Sequence, residues 1–344
     1  MKYDIRETEQ ETLLGFLRDQ GEKPFRLKQI NQWLWKKAVV DFDQMTDLSE
    51  QLRTLLKKHF IIQHAKEEIV RKSNDGTIKV VFSVGEGHLA EGVLIPSSDR
   101  VTACISSQTG CKLKCRFCAT GAMKEAFDLS SGQIVDQVVL LNKKAIEEYG
   151  HGLSNIVLMG MGEPLLNYHH VVRAIRLLSS PDGQGYSPKR ITLSTAGLVK
   201  QIRNLADEQL KINLAISLHA ANNKLRSELM PVNKRNPLEE LGDAVRYFYD
   251  QTGMRVTFEY LRLNDFNDKI EDARDLAAFC RIVPCKINLI RYNPVPGIPF
   301  EASIKDREWS FMNFLESRNM IVQVRRSRGG DIDAACGQLA NRNK

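Results

Sequence analysis

From residue 100 onward, short apolar β-branched runs alternate with longer helical stretches at a steady beat, and this beat narrows the fold more than any other feature. The predicted strands are RVTACIS (100–106), NIVLMG (155–160), RITLST (190–195), INLAISLH (212–219), RVTFEYL (255–261), KINLIRY (286–292) and MIVQVRR (320–326). Stretches of helical character such as SSGQIVDQVVLLNKKAIEEY and PLEELGDAVRYFYDQT lie between them. Strands that read as continuous apolar runs are buried on both faces, and connections this long accommodate crossover helices, so a parallel α/β architecture follows. Six repeats predict a partial (βα)6, TIM-like barrel. Functional groups then belong at the C-terminal ends of the strands, which open on one face.

Two segments precede the barrel. Residues 1–58 carry apolar positions at helical spacing, as in TEQETLLGFLRDQ and LKQINQWLWKKAV, and predict a small helical domain. Within it, residues 23–37 hold Lys23, Arg26, Lys28, Lys36 and Lys37 without an acidic residue, interleaved with Phe25, Trp33 and Trp35. Such a pattern is either an amphipathic helix with solvated lysines or a module that grips RNA phosphates. Residues 59–97 turn β-rich, with TIKVVFSV and HLAEGVLIP around a Gly-containing turn, and read as a short connector. The barrel and a C-terminal segment fill residues 98–344.

At about 150 residues per domain, 344 residues fit one large unit with an appendage. A net charge of +7 suits a polyanionic partner without requiring one. No stretch reaches the roughly 18 apolar residues that cross a bilayer, and the acidic, polar start lacks the pattern of a signal peptide, so a cytoplasmic protein is expected. In a reducing compartment, seven cysteines favour metal-binding or reactive thiols over structural disulfides.

Three of those cysteines, Cys111, Cys115 and Cys118, sit in CKLKCRFC after the first barrel strand. Thiolates are soft ligands suited to zinc or iron–sulfur centres. A closed zinc site wants a fourth nearby Cys or His, and none occurs between Cys118 and His151. A four-iron cluster ordinarily takes four cysteines, so three leave one iron open for a ligand.

CKLKCRFC, with Phe117 before its last cysteine, resembles the signature of radical S-adenosylmethionine (SAM) enzymes, in which the open iron chelates SAM. MGMGEP (159–164), directly after the second strand, resembles that family's Gly-Glu-Pro motif. SSQTGC (106–111), ISLHA (216–220), NPVPG (293–297) and RGGDIDAACGQL (328–339) are together similar to the RlmN/Cfr class of RNA adenine methyltransferases, and the likeness runs from residue 25 to the tail. The tail is closer to the RlmN branch, which methylates C2 of adenosine, than to the Cfr branch, which acts on C8.

The resemblance implies a [4Fe-4S] cluster on Cys111, Cys115 and Cys118, with SAM held by Gly162, Glu163, Ser194, Ser217, Leu218, His219 and Asn293. It implies that Cys336 takes a methyl from one SAM and that a second SAM, cleaved reductively, yields the radical that activates the methylated cysteine. The resulting carbon radical adds to adenine C2, and Cys104 resolves the protein–RNA adduct by forming a disulfide with Cys336. Glu91 matches the family's proton acceptor; alone it is simply a strand glutamate. The implied substrates are 23S rRNA at the peptidyl transferase centre and the adenosine beside the tRNA anticodon, with flavodoxin as electron donor and the enzyme a monomer. Cys280 and Cys285 match no motif and read as core residues. The rivals are a C8 methyltransferase and a non-catalytic iron–sulfur or zinc RNA-binding module. The second leaves Cys104, Cys336 and the strand-end residues without a role.

Overall fold

The computed structural model describes residues 2–341. Its first elements are β1 (Tyr3–Asp4), α1 (Gln10–Asp19), α2 (Phe25–Asn31), continued by a π-helical turn over Gln32–Lys36, then α3 (Glu50–His59) and β2 (Phe60–Ile61). β1 pairs in parallel with β2, closing the segment into a unit. Ile5, Leu17, Ile30, Trp35, Leu52 and Phe60 belong to its own buried core. Ser49 caps α3 by accepting the Leu52 N–H, and Lys57, Lys58 and His59 occupy the last turn, where positive charge complements the helix dipole. Arg6 joins this unit to the rest through a buried bidentate pair with Asp136, at 2.7 and 3.0 Å.

Three strands follow, β3 (Lys66–Lys72), β4 (Ile78–Ser83) and β5 (Leu89–Pro96). They form an antiparallel meander whose last strand pairs antiparallel with β6 (Val101–Ile105). The stretch expected as a connector is therefore one end of the barrel sheet. Its first strand, KEEIVRK, shows no apolar alternation because it lies on the edge with nearly every side chain exposed, and charge there discourages a further strand from pairing.

From β6 the chain alternates as the sequence predicts: α4 (Ser131–Tyr149), β7 (Asn155–Leu158), α5 (Tyr168–Ser179), β8 (Ile191–Thr195), α6 (Val199–Asp207), β9 (Asn213–Ser217), α7 (Asn223–Leu229), α8 (Leu238–Thr252), β10 (Val256–Arg262), α9 (Ile270–Cys280), β11 (Cys285–Arg291), α10 (Lys305–Ser317) and β12 (Val322–Arg325). β6 to β12 pair in parallel in sequence order, within a ten-strand sheet edged by β3 and β12. The barrel is thus open, as expected. The core between sheet and helices is contiguous: Ile105, Leu158, Leu193, Leu214, Phe258 and Leu289 from the strands meet Ile134, Ile175, Ile202, Leu241 and Leu276 from the helices. α4 starts at a capping box on Ser130 and Gln133, and α4 and α8 both stop at glycines in the left-handed region, Gly150 and Gly253. Among the described residues no helix is long and apolar enough to cross a membrane.

Candidate active site

A cavity of about 200 Å³ opens among the C-terminal ends of the parallel strands. The loop between β6 and α4 supplies Cys111, Cys115 and Cys118, and the loop after β7 supplies Gly162 and Glu163. Ser194 ends β8, Ser217 ends β9 and His219 follows it, while Cys104 stands on β6 and Cys336 arrives on the C-terminal tail. The sequence-predicted site residues thus converge, except Leu218, Asn293 and Glu91.

The two glycine-rich loops are knitted together by SSQTGC. Ser106 Oγ accepts the Met161 N–H at 2.8 Å and donates to the Glu91 carbonyl at 2.6 Å, and the N–H groups of Ser107 and Gln108 both donate to the Met161 carbonyl. Gln108 Oε1 accepts the Glu163 N–H at 2.9 Å. Gly162 sits at φ +98°, and a Cβ there would fall 2.6 Å from Gln108 Cβ, so this turn requires glycine on both counts.

Glu163 is buried. It accepts the Leu165 N–H at 3.0 Å and the Ala196 N–H at 2.7 Å, tying the β7 loop to the end of β8. Burial pushes its pKa up to about 6 against these donors. A buried carboxylate whose oxygens face a cavity is a receptor for an ammonium group.

Ser194 Oγ and Ser217 Oγ lie 3.4 Å apart, giving paired hydroxyls on adjacent strand ends. His219 has φ +57°, its Nδ1 accepts the Leu261 N–H at 3.1 Å, and Phe117 packs edge-on against its ring. Burial, reinforced by Arg226, lowers its pKa to about 3, so the imidazole is neutral. The Leu218 side chain belongs to the barrel core, and only its backbone reaches the rim. Asn293 lies outside the cavity with its amide donating to the Cys336 carbonyl at 3.2 Å. Glu91 is fully buried away from the cavity, 3.4 Å from the Lys79 ammonium, with Oε2 accepting the Ala340 N–H at 3.0 Å. A proton acceptor must reach its proton, so with the tail in this position Glu91 is a tail anchor and not an exposed base.

Cys104 is buried and Cys336 is accessible from the cavity, and both are free thiols. Burial, then the neighbouring Cys336, holds Cys104 up to about 12. Desolvation likewise raises Cys336, and the Arg325 guanidinium acts against both shifts. Arg325, at the end of β12, lines the cavity beside Glu259 of β10, 3.6 Å from its carboxylate, and Asn288 Nδ2 donates to the other Glu259 oxygen at 2.7 Å. Sequence reading missed this pair because both residues sit inside apolar strand patterns. Glu259 alone carried a signal: a charge in a strand buried on both faces needs a partner. Cys280 and Cys285 lie far along the fold, with Cys285 Sγ donating to the Cys280 carbonyl at 3.3 Å, as the core reading expects.

The donor set tests whether a metal cluster fits. Burial raises Cys111 to about 12 and Cys115 well above its ordinary value, with Cys118 adding to both shifts and Cys111 to that of Cys115. Thiols crowded into one apolar pocket cannot ionise on their own, and a soft cationic centre is what reverses that balance. The residues present therefore fit an iron–sulfur cluster, although among the described residues no trio of His, Cys, Asp or Glu already stands in ligating geometry.

The family model described as "Radical SAM superfamily" matches residues 105–277, and "Ribosomal RNA large subunit methyltransferase N-terminal domain" matches residues 3–62. The "Probable dual-specificity RNA methyltransferase RlmN" of Christiangramia forsetii is 47% identical over 342 residues, covering 99% of this chain and 97% of that protein. The chain belongs to the RlmN family of radical SAM RNA methyltransferases. The probable RlmN of Cytophaga hutchinsonii is 49% identical, covering 98% of this chain and 92% of that protein. A crystal structure of a radical SAM methyltransferase from Sphaerobacter thermophilus superposes with a TM-score of 0.90 at 40% identity, covering 98% of each chain. Membership in the RlmN family implies a [4Fe-4S] cluster and SAM as cofactors.

Proposed function

We propose that this protein methylates C2 of an adenosine in 23S rRNA and of the adenosine beside the tRNA anticodon, using Cys336 as methyl carrier and Cys104 as resolving thiol. The observation that carries this reading is that Cys104 and Cys336 line one cavity with the three-cysteine loop. Adenine C2 carries an unactivated C–H on an electron-poor ring, so polar methyl transfer has no nucleophile to use there. When bound, the cluster and SAM supply both the methyl group and the radical that activates it, with two SAM consumed per methylation.

The chain's own residues do the rest. Cys111, Cys115 and Cys118 hold the cluster. Glu163 receives the SAM ammonium, with Gly162 leaving room beside it; Ser194, Ser217, the backbone at Leu218 and His219 complete the binding site, while Asn293, outside the cavity, holds the Cys336 carbonyl. Cys336 loses a thiol proton and gains a methyl on sulfur; after hydrogen abstraction its methylene bonds to adenine C2. The adduct radical then gives up its unpaired electron, which a bound cluster would take back, and its C2 proton, with Glu91 as acceptor only once the tail shifts and frees its carboxylate. Cys104 attacks the Cys336 sulfur, the carbon–sulfur bond breaks, and the disulfide forms as the methylene takes up a proton to become methyl. A flavodoxin-type carrier delivers the electron, and the enzyme works as a cytoplasmic monomer.

The two cysteines separate by what each substitution leaves behind. Cys336→Ala yields neither methylated RNA nor a crosslink, whereas Cys104→Ala traps protein covalently on RNA as a slow-migrating, nuclease-sensitive band. Free, fully methylated RNA from Cys104→Ala at the normal rate refutes the mechanism. Mass analysis of the nucleoside with a C2 or C8 deuterium label decides between the two carbons.

A further inference from the structure

Among the contacts that hold the tail segment carrying Cys336, such as Ser73 with Asp331, Thr120 with Leu339 and Asn341 with Leu89, one buried ion pair grips the segment on both sides of that cysteine. Lys79 on β4 is 1% exposed and Glu91 on β5 is fully buried. The Lys79 ammonium lies 3.4 Å from Glu91 Oε1 and donates to the Asp333 carbonyl at 3.4 Å. Glu91 Oε2 accepts the Ala340 N–H at 3.0 Å. Cys336 sits between these two attachment points. The segment leaves regular conformation at both Asp333, φ +52°, and Gly337, φ +85°, so its path is set by what grips it and not by local secondary structure.

Burying an ion pair is a poor way to stabilise a fold, because desolvation offsets most of the attraction and an apolar pair of the same volume does as well or better. What a charged pair adds is directionality. Here the ammonium has a hydrogen to spare for a carbonyl of the tail, and the carboxylate has a lone pair to spare for an amide of the tail. Two methyl-bearing side chains at these positions would fill the space and hold neither end.

We propose that Lys79 is a positioning residue which, through Glu91, seats the tail so that Cys336 faces the cavity beside Cys104. The assignment rests on the reading of Cys336 as methyl carrier. Lys79 is buried and does not line the cavity. It also orders events at Glu91: with the tail seated, Oε2 is held by the Ala340 N–H while Oε1 faces Lys79 without a hydrogen bond, and the side chain is released for other work only when the tail lifts.

The test compares Lys79→Met, Lys79→Gln and Ala340→Pro with the natural chain, each with its cluster reconstituted. Ala340→Pro removes the amide that Glu91 accepts, close to the chain end, at the cost of a fixed φ there and a restricted Leu339, and leaves both members of the ion pair in place. Hydrogen–deuterium exchange over residues 329–341, measured without RNA, reads tail order; methylation kinetics read its use. Lys79→Met and Ala340→Pro should exchange the tail at least tenfold faster with the parallel strands unchanged. Their kcat should fall at least tenfold while the KM for RNA stays within twofold. Lys79→Gln, which keeps a donor for Asp333, should fall between. A folded Lys79→Met with native tail exchange overturns the proposal, as does a loosened tail with normal kcat. If Lys79→Met does not fold, native tail exchange in Ala340→Pro overturns it alone. A natural chain that tightens its tail through Lys79 yet methylates no RNA would refute the functional reading and leave the seating intact.

Discussion

Arg226 offers the sharpest test of how the rim of the cavity is built. It lies on α7, is fully buried, and donates to the Leu218 carbonyl at 3.1 Å, the Ala196 carbonyl at 2.6 Å, the Ser217 carbonyl at 3.4 Å and Asn233 Oδ1 at 2.7 Å. One guanidinium thus ties together the loops after β8 and β9, which present Ser194, Ser217 and His219. Burial lowers its pKa to about 10, so it stays charged at neutral pH. In Arg226→Leu the Ala196 carbonyl and Asn233 amide lose a buried donor, at about 1–3 kcal/mol each, while Leu218 keeps the Ala220 N–H. The leucine recovers part of this by burying apolar surface, leaving a net loss of about 2–4 kcal/mol. At roughly 2–4 °C per kcal/mol for a large domain, the melting temperature falls by about 4–16 °C. SAM affinity of the cluster-loaded protein, read by calorimetry below the new melting temperature, should fall at least tenfold. Arg226→Lys keeps the charge but cannot span four acceptors, and should lie between. A leucine variant that melts and binds SAM like the natural chain would refute the view that this side chain holds the rim.

Two further outcomes follow from the same geometry. Lys23, Lys28, Lys36 and Lys37 are exposed, whereas Arg26 already pairs with Glu22 at 3.3 Å and Lys37 stacks on the Trp33 ring; replacing all five basic residues of this segment with Gln should weaken RNA binding and flatten its salt dependence, and unchanged affinity across a salt series returns them to a solvated face. Glu163, raised by burial to about 6, takes up a proton as the pH falls through that value and then cannot receive an ammonium, so SAM affinity should drop below about pH 6; its contribution to stability has the opposite sign, being largest in acid and lost as the pH rises through 6, and a binding curve flat from pH 5 to 8 argues against the assignment.

What could be read in the sequence follows from what leaves a periodic or local trace. All seven parallel strands stand within two residues of their predicted ends because buried strands must be apolar throughout, and the site loops were legible because thiols and glycines cluster locally around a cofactor. Strand β3 was not, since an exposed edge carries no alternation. Arg226 and Lys79 escaped for a different reason: in sequence a buried charge names no partner, and its partners lie far off, as Lys79 and Asp333 do, 254 residues apart. The same blindness affected Glu91, whose alignment with a family position said nothing of the tail lying over it.

The protonation of the two reactive thiols gives the cavity a further logic. On the proposed mechanism, a disulfide between Cys104 and Cys336 formed too early would consume the sulfur that must first receive a methyl. Thiolate, not thiol, attacks, so holding Cys104 at about 12 keeps it protonated and slow at neutral pH. Desolvation raises Cys336 as well, so it too is a neutral thiol there, while Arg325, which lines the same cavity and pairs with Glu259, favours ionisation of both. On the proposed mechanism, two protonated thiols keep that premature disulfide from forming.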